Sequence, residues 1–151
     1  MTRGKFLLLC CALVLAALGG DALKAQGNSA QETKNQQLAM NWYREVIAYG
    51  HVELAPKYMA GDYVEHDPLV GGGDRAAFVK FHSSMPAKPI QPNLPKEPVK
   101  AFTKGDYVVM VWDHNDKDPQ SGTPYTYFTY DVVRVKNGKI QEHWDNLRIV
   151  P

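Results

Sequence analysis

The first regular pattern of apolar positions lies between residues 33 and 50. Its apolar residues are three or four positions apart, at Leu38, Trp42, Val46 and Tyr49. This spacing places them on one stripe of an α-helix. Gly50 ends the pattern, since glycine readily takes the left-handed conformation that follows a helix. The sequence therefore predicts a first helix over residues 33–50.

Two shorter helices are predicted after it. Residues 52–59 form one, with Pro56 near its first turn. Asp74 can cap the N-terminus of another, which continues to about Ser84. Its core-facing side chains would be Phe78, Val79 and Phe81. Residues 62–68, between the two helices, are predicted to be extended.

The second half of the chain is rich in aromatic and β-branched residues, as is typical of strands. The predicted strands are residues 99–104, 107–112, 125–136 and 139–149. Asn137-Gly138 is a strong hairpin signal between the last two, and residues 115–124 read as a polar loop. Helices followed by a run of antiparallel strands predict an α+β domain, with the helices covering one face of a curved sheet.

A proline repeat separates the predicted helices from the predicted strands. Prolines occur at every third position, namely Pro86, Pro89, Pro92, Pro95 and Pro98. Three residues per turn is the period of the polyproline II conformation. We therefore expect this proline segment (residues 86–98) to be an extended, stiff connection on the surface.

The N-terminus has the pattern of a secretory signal peptide. Arg3 and Lys5 precede an apolar run over residues 6–18, and small residues follow it, with cleavage expected after Ala22 or Ala25. The run is short for a membrane span, although an uncleaved N-terminal membrane anchor is the alternative. We expect a periplasmic or secreted protein without stable membrane association after cleavage. The predicted parts are a signal peptide (1–25), a flexible leader (26–32) and one domain (33–151).

Composition narrows the function classes. Both cysteines, Cys10 and Cys11, lie in the predicted signal peptide, so the mature domain would have no disulfide bond. The net charge of +1 and the lack of long runs of like charge argue against a nucleic-acid partner. No two histidines are four positions apart and no G-x-S-x-G motif occurs, so neither a metal site nor a serine nucleophile is predicted. Histidines that converge in space could still bind a metal.

Three side chains on the last two predicted strands suggest acid–base chemistry. Because strand residues alternate between faces, His143 and Asp145 share one face and Trp144 takes the other. Asp131 on the preceding strand could join them in one concavity. Burial among aromatic rings suits a carboxylate for proton exchange near neutral pH. The alternative is that each side chain only packs or forms hydrogen bonds.

Several segments share the residue pattern of one known family. They are residues 41–46, 55–59, 63–68, 105–109, 131–140 and 142–145. These segments resemble the SnoaL-like polyketide cyclases, in the predicted aldol-condensation subgroup of the nuclear-transport-factor-2-like superfamily. The resemblance covers most of residues 35–151 and implies a cone-shaped fold, with a bent antiparallel sheet around three helices. It also implies an apolar pocket and, often, a homodimer formed through the outer face of the sheet.

The resemblance further implies an enzyme that does aldol-type or related acid–base chemistry on a small carbonyl compound, without metal or organic cofactor. The predicted signal peptide would make it an exported enzyme. Asp145 would be the acid/base and His143 its polar neighbour. The other pocket residues would be His66, Asp131, Trp42, Tyr43, Tyr63 and His114. Trp112 stands where relatives often have a histidine, so the donor on that side is either missing or supplied by His114.

Two alternatives use the same fold. One is a non-catalytic periplasmic or secreted module that binds an apolar ligand in the same pocket. The other is a hydrolase or isomerase, which needs its own donors. An epoxide hydrolase would need an Asp-Arg-Asp arrangement, but Arg134 is three positions from Asp131 and therefore lies on the opposite face of the strand.

Overall fold

The computed structural model describes residues 28–71 and 73–145. The predicted signal peptide and the end of the last predicted strand lie outside the described residues. Helix α1 spans Ala30–Trp42 and begins earlier than predicted. Ser29 accepts a hydrogen bond from the Glu32 amide, and the Glu32 carboxylate accepts one from the Ser29 amide. This capping box makes residues 30–32 helical, although the sequence predicts them as part of a flexible leader.

A π-helix over Tyr43–Ala48 continues α1. The amide of Tyr49 donates to the carbonyl oxygen of Arg44, five residues back, at 3.0 Å. This wider winding aligns residues that are five positions apart. Tyr43 and Ala48 therefore face the same side.

A 3₁₀ turn over Val52–Leu54 leads into helix α2, which spans Ala55–Tyr58 and has Pro56 in its first turn, as predicted. Helix α3 spans Arg75–His82, and Asp74 caps it.

The three side chains expected to face the core from α3 have different environments. Phe78 is fully buried and Val79 is partly buried, whereas Phe81 is 44% exposed. A helix of two turns presents one narrow stripe to the core, which leaves Phe81 on its outer side.

Five strands form one sheet in the order β1-β5-β4-β3-β2. The strands are β1 (Met59–Glu65), β2 (Lys100–Lys104), β3 (Tyr107–Lys117), β4 (Pro124–Lys136) and β5 (Lys139–Asp145). The predicted hairpin is confirmed: Asn137 and Gly138 join β4 to β5 with φ angles of 51° and 70°. Strands β3 and β4 pair as far as Lys117 and Pro124, so residues 115–117 and 124 of the predicted polar loop are strand.

The sheet is mixed rather than purely antiparallel, because β1 runs parallel to β5. Strand β1 is followed by α3 and the proline segment before β2 begins, and β5 then returns beside it. The sheet is curved and unclosed, and the three helices pack on it.

The core lies between the helices and the inner face of the sheet. Its largest fully buried side chains are Trp42, Phe78, Met59, Met110, Ile140, Val46, Val108 and Val133. In the part of the chain that the structure describes, no helix is long and apolar enough to cross a membrane.

Candidate active site

Five side chains form a continuous polar chain across the inner face of the sheet, beneath the helices. In spatial order they are Tyr63, Glu65, His143, Asp131 and Trp112. They come from strands β1, β5, β4 and β3, and each is buried. Strand alternation directs all of them inward. We call this set the buried chain.

The hydrogen bonds of the buried chain are 2.5–3.1 Å long. Tyr63 donates to Oε2 of Glu65 at 2.5 Å, and Nδ1 of His143 lies 3.1 Å from both oxygens of that carboxylate. Nε2 of His143 lies 3.0 Å from Oδ1 of Asp131. The indole of Trp112 donates to the other oxygen of Asp131 at 2.6 Å. The imidazole is therefore held between two carboxylates.

The two carboxylates control the charge of the imidazole. Burial alone would lower the pKa of His143, but hydrogen bonds and Coulombic attraction to Asp131 and Glu65 raise it to about 10. For Glu65, burial is opposed by the hydrogen bond and charge of His143, and the net pKa is lowered. Burial, followed by the charge of Glu65, raises the pKa of Tyr63. At neutral pH His143 is thus a protonated double donor.

The buried chain ends at the wall of a cavity. This cavity has a volume of about 150 Å³. Its lining residues are Tyr43, Ala48, Pro95, Lys96, Trp112 and His114. The rings of Tyr43 and Trp112 stack with their centroids 4.2 Å apart and an interplanar angle of 21°. Trp112 thus donates a hydrogen bond to Asp131, stacks on Tyr43 and lines the cavity.

Two further groups define the polarity of the cavity. Burial, and then the charges of Asp131 and Asp145, raise the pKa of Tyr43, so its phenol remains a hydrogen-bond donor at neutral pH. Nε2 of His114 lies 2.9 Å from the hydroxyl of Thr129, and its ring stacks on Tyr127. A ligand in the cavity would therefore meet aromatic faces and a few polar atoms, as is usual for small-molecule sites.

Comparison with known proteins identifies the family. The sequence profile of the SnoaL-like domain matches residues 40–143. The chain belongs to the SnoaL-like domain family. No curated protein sequence matches it significantly.

Solved structures share the fold of this SnoaL-like chain. A candidate polyketide cyclase from Acidithiobacillus ferrooxidans is 20% identical, with a TM-score of 0.53 over 79% of this chain and 90% of its own. A candidate SnoaL-like polyketide cyclase from Jannaschia sp. CCS1 is 14% identical, with a TM-score of 0.54 over 80% and 91%. An epoxide hydrolase from M. tuberculosis, resembling the LEH type, is 10% identical, with a TM-score of 0.51 over 78% and 81%. At these identities the likeness establishes the fold alone.

The structure of the SnoaL-like domain brings several of the predicted site residues together. His143 and Asp131 are in contact, and Tyr63 belongs to the same buried chain. Tyr43 and His114 line the cavity. Asp145 is opposite Asp131 in the β4–β5 register, but it is exposed at the end of β5.

Two predicted pocket residues of the SnoaL-like domain lie elsewhere. Trp42 is fully buried in the core, with its ring centroid 5.3 Å from that of His143. His66 is exposed, stacks on Trp144 at 4.6 Å and lies 3.0 Å from Glu142. It follows the inward Glu65 directly, and alternation therefore turns it to the outer face. His66 is therefore not among the residues that line this cavity.

Two members of the buried chain were missed as site residues in the sequence. Glu65 appeared only as part of a family motif, and Trp112 only as a departure from one. The available signal for Glu65 was its spacing of two from Tyr63, which places both on one face of β1. Trp112 carries no comparable signal, because its role depends on the register between β3 and β4.

Two observations concern the other enzyme classes considered. Within residues 28–71 and 73–145, no group of three or more histidine, cysteine or acidic side chains is placed to hold a metal ion. Arg134 forms an ion pair with Glu142 on the outer face, as its spacing from Asp131 predicted. The Asp-Arg-Asp arrangement of an epoxide hydrolase therefore does not include Arg134 and Asp131.

Proposed function

We propose that this SnoaL-like protein is an enzyme that removes and returns a proton on a carbon next to a carbonyl group. The observation that supports this proposal is the buried chain ending at the cavity wall. Removing several ionisable groups from water costs free energy that apolar packing would avoid. Such groups beside a cavity are typical of functional sites.

Asp145 is the proposed acid/base. It is exposed at the last residue of β5, opposite Asp131 in the β4–β5 register, and, together with burial, its charge raises the pKa of Tyr43, which lines the cavity. In the proposed step the Asp145 carboxylate takes a proton from the carbon, and the electron pair moves onto the carbonyl oxygen. The protonated phenol of Tyr43 donates a hydrogen bond to that enolate oxygen. Asp145 then returns the proton to a carbon. Where the enolate instead attacks a second carbonyl, Asp145 gives the proton to the alkoxide oxygen that this attack forms.

His143 has a positioning role in this proposal rather than a role on the ligand. Its side chain is 7% exposed, and both ring nitrogens are engaged by carboxylates. It holds Asp131, which in turn holds the indole of Trp112. Trp112 then fixes the ring of Tyr43 by stacking. His143 thus acts on the ligand indirectly, through Asp131, Trp112 and Tyr43.

The cavity limits the size of the substrate. Its volume is about 150 Å³, and an apolar cavity of roughly that size holds one benzene molecule. We therefore propose a small, ring-sized carbonyl compound as the substrate, and a mechanism that needs no organic cofactor. The apolar run over residues 6–18 supports export to the periplasm or the medium.

Turnover of small carbonyl compounds tests the proposal. Wild type and Asp145→Asn are compared on a set of ring-sized ketones, with Asp62→Asn as the control because Asp62 is also an exposed strand carboxylate. Loss of turnover in Asp145→Asn alone supports the enzyme. Equal turnover in all three proteins removes Asp145 from the mechanism. Ligand binding without turnover favours the alternative, a non-catalytic module that binds an apolar ligand.

A further inference from the structure

The proline segment forms one wall of the cavity. Pro95 and Lys96 line the cavity, and Leu94 packs against the core. The segment is held in place from its first residue onward. A Cβ atom on Gly50, whose φ is 76°, would lie 3.1 Å from the carbonyl oxygen of Pro86. Glycine suits this position, because its φ is positive and a Cβ atom would press on the neighbouring backbone.

Four hydrogen bonds join the segment to the π-helix and the turn after it. The amide of Lys88 donates to the Tyr49 carbonyl at 2.9 Å, and the Lys88 carbonyl lies 2.8 Å from Nε2 of His51. The Tyr49 hydroxyl donates to the Asn93 carbonyl at 2.9 Å. Arg44 donates to the carbonyl of Pro92 at 3.1 Å. The wall is therefore fixed relative to Tyr43 and Ala48, which the π-helix also positions.

Lys96 is the one permanently charged residue among the described residues that line this cavity. Its ammonium lies 2.7 Å from Oδ1 of Asp113 and also donates to the carbonyl of Asp113. An ammonium group has three N–H donors, so one remains beyond the Asp113 contacts. The Lys96 side chain is 49% exposed, which leaves it at the rim rather than buried.

Lys96 and the proposed acid/base lie at different places along the sheet. Lys96 is held at β3 by Asp113, whereas Asp145 lies on β5, two strands away, in register with Met110 of β3. Two strand spacings amount to about 10 Å, and the three residues from Met110 to Asp113 add about 10 Å along β3. A carboxylate held at Lys96 is therefore well separated from the Asp145 carboxylate.

We propose that Lys96 is a specificity residue that binds a carboxylate on the substrate, so the substrate class is a small carbonyl compound that also carries a carboxylate. This inference rests on the proposed function, because it concerns the same cavity. The proline segment, which carries Lys96, thereby contributes to the substrate specificity of the site.

Matched probes test the role of Lys96. Benzoate and benzamide have nearly the same shape, fit a benzene-sized cavity and differ in charge. Calorimetric titration of the full chain should give benzoate an affinity about five- to tenfold higher than benzamide, since a charge-assisted hydrogen bond at a partly exposed rim is worth that much. Lys96→Met should abolish the preference, and Asp113→Asn should increase it by removing the competing carboxylate.

Lys88→Met is the control, because Lys88 is an exposed lysine of the same segment that does not line the cavity. Lys88→Met changes the net charge by the same amount as Lys96→Met, and it should keep the preference for benzoate over benzamide. Equal affinity for both probes in wild type, or an unchanged preference in Lys96→Met, overturns the role of Lys96 and leaves the cavity as a ligand site. If neither probe binds, both the assignment of the cavity as a ligand site and the role of Lys96 are overturned.

Discussion

Nε2 of His143 lies 3.0 Å from Oδ1 of Asp131, inside the core and across two neighbouring strands. The other ring nitrogen, Nδ1, lies 3.1 Å from the carboxylate of Glu65. A cation between two buried carboxylates is stabilising only while all three are present. His143 therefore contributes both to the stability of the domain and to the position of Trp112 in the cavity wall.

His143→Gln should destabilise the domain strongly. The change leaves Glu65 and Asp131 facing each other without the imidazolium, and breaking a buried ion pair in this way costs about 3–5 kcal/mol. Urea unfolding measures the loss. His66→Gln is the control, because His66 is exposed on the outer face, and it should cost at most about 1 kcal/mol. Similar losses for the two variants would contradict the account of the buried chain.

The contribution of His143 should depend on pH in one direction. The pKa of His143 is about 10 in the folded state, and its ordinary value is 6.5. Between these two pH values the folded state holds a proton on His143 that the unfolded state has lost. The stabilisation is then fully present below pH 6.5 and is lost as the pH rises through 10. The difference in unfolding free energy between wild type and His143→Gln should shrink between about pH 7 and about pH 9. A constant or growing difference would show that the imidazole is not protonated in the folded state.

Tyr43→Phe should lower kcat with little change in KM. The phenylalanine ring keeps the stack on Trp112 but removes the proposed donor to the enolate oxygen. Loss of one such donor lowers kcat by about 10²–10³. Steady-state kinetics on the best substrate of the ketone screen measures this effect, with Tyr107→Phe on the exposed outer face as the control. Equal kcat in both variants would remove Tyr43 from the reaction.

The homodimer remains a prediction. Four aromatic residues on the outer face of the sheet are 45–53% exposed, namely Phe102, Tyr107, Phe128 and Tyr130. A second copy of the chain would cover the same patch on both partners, as a two-fold interface requires. Phe128→Glu should convert the dimer to a monomer in light scattering, whereas Phe81→Glu, at an exposed site on α3, should not. A monomeric wild type would contradict the expectation.

Local signals predicted most of the fold. The Asn137-Gly138 turn and the capping role of Asp74 depend on a few adjacent residues, and both are confirmed. The parallel pairing of β1 with β5 depends on contacts between residues about 80 positions apart, which no local pattern encodes. The π-helix over Tyr43–Ala48 was missed for a different reason. Its apolar spacing also suits an α-helix, and only the hydrogen bonds distinguish the two.

The site was predicted less completely than the fold. Alternation along β5 correctly separated His143 from Trp144, since period two is a local property of a strand. It could not show that Asp145 would be exposed while His143 is buried, because that depends on what covers each end of the strand. The contact between Glu65 and His143 likewise arises from the parallel pairing that the sequence did not reveal.

The central claim is that Asp145 moves a proton on a carbonyl compound held in the cavity. Exchange of the α-protons of cyclohexanone in deuterated buffer, followed by proton NMR, measures that step without knowledge of the natural substrate. We expect wild type to accelerate the exchange above the buffer rate, Asp62→Asn to match wild type, and Asp145→Asn to lose at least about 10² of the acceleration. Exchange at the buffer rate in wild type, or equal acceleration in Asp145→Asn, would contradict the claim.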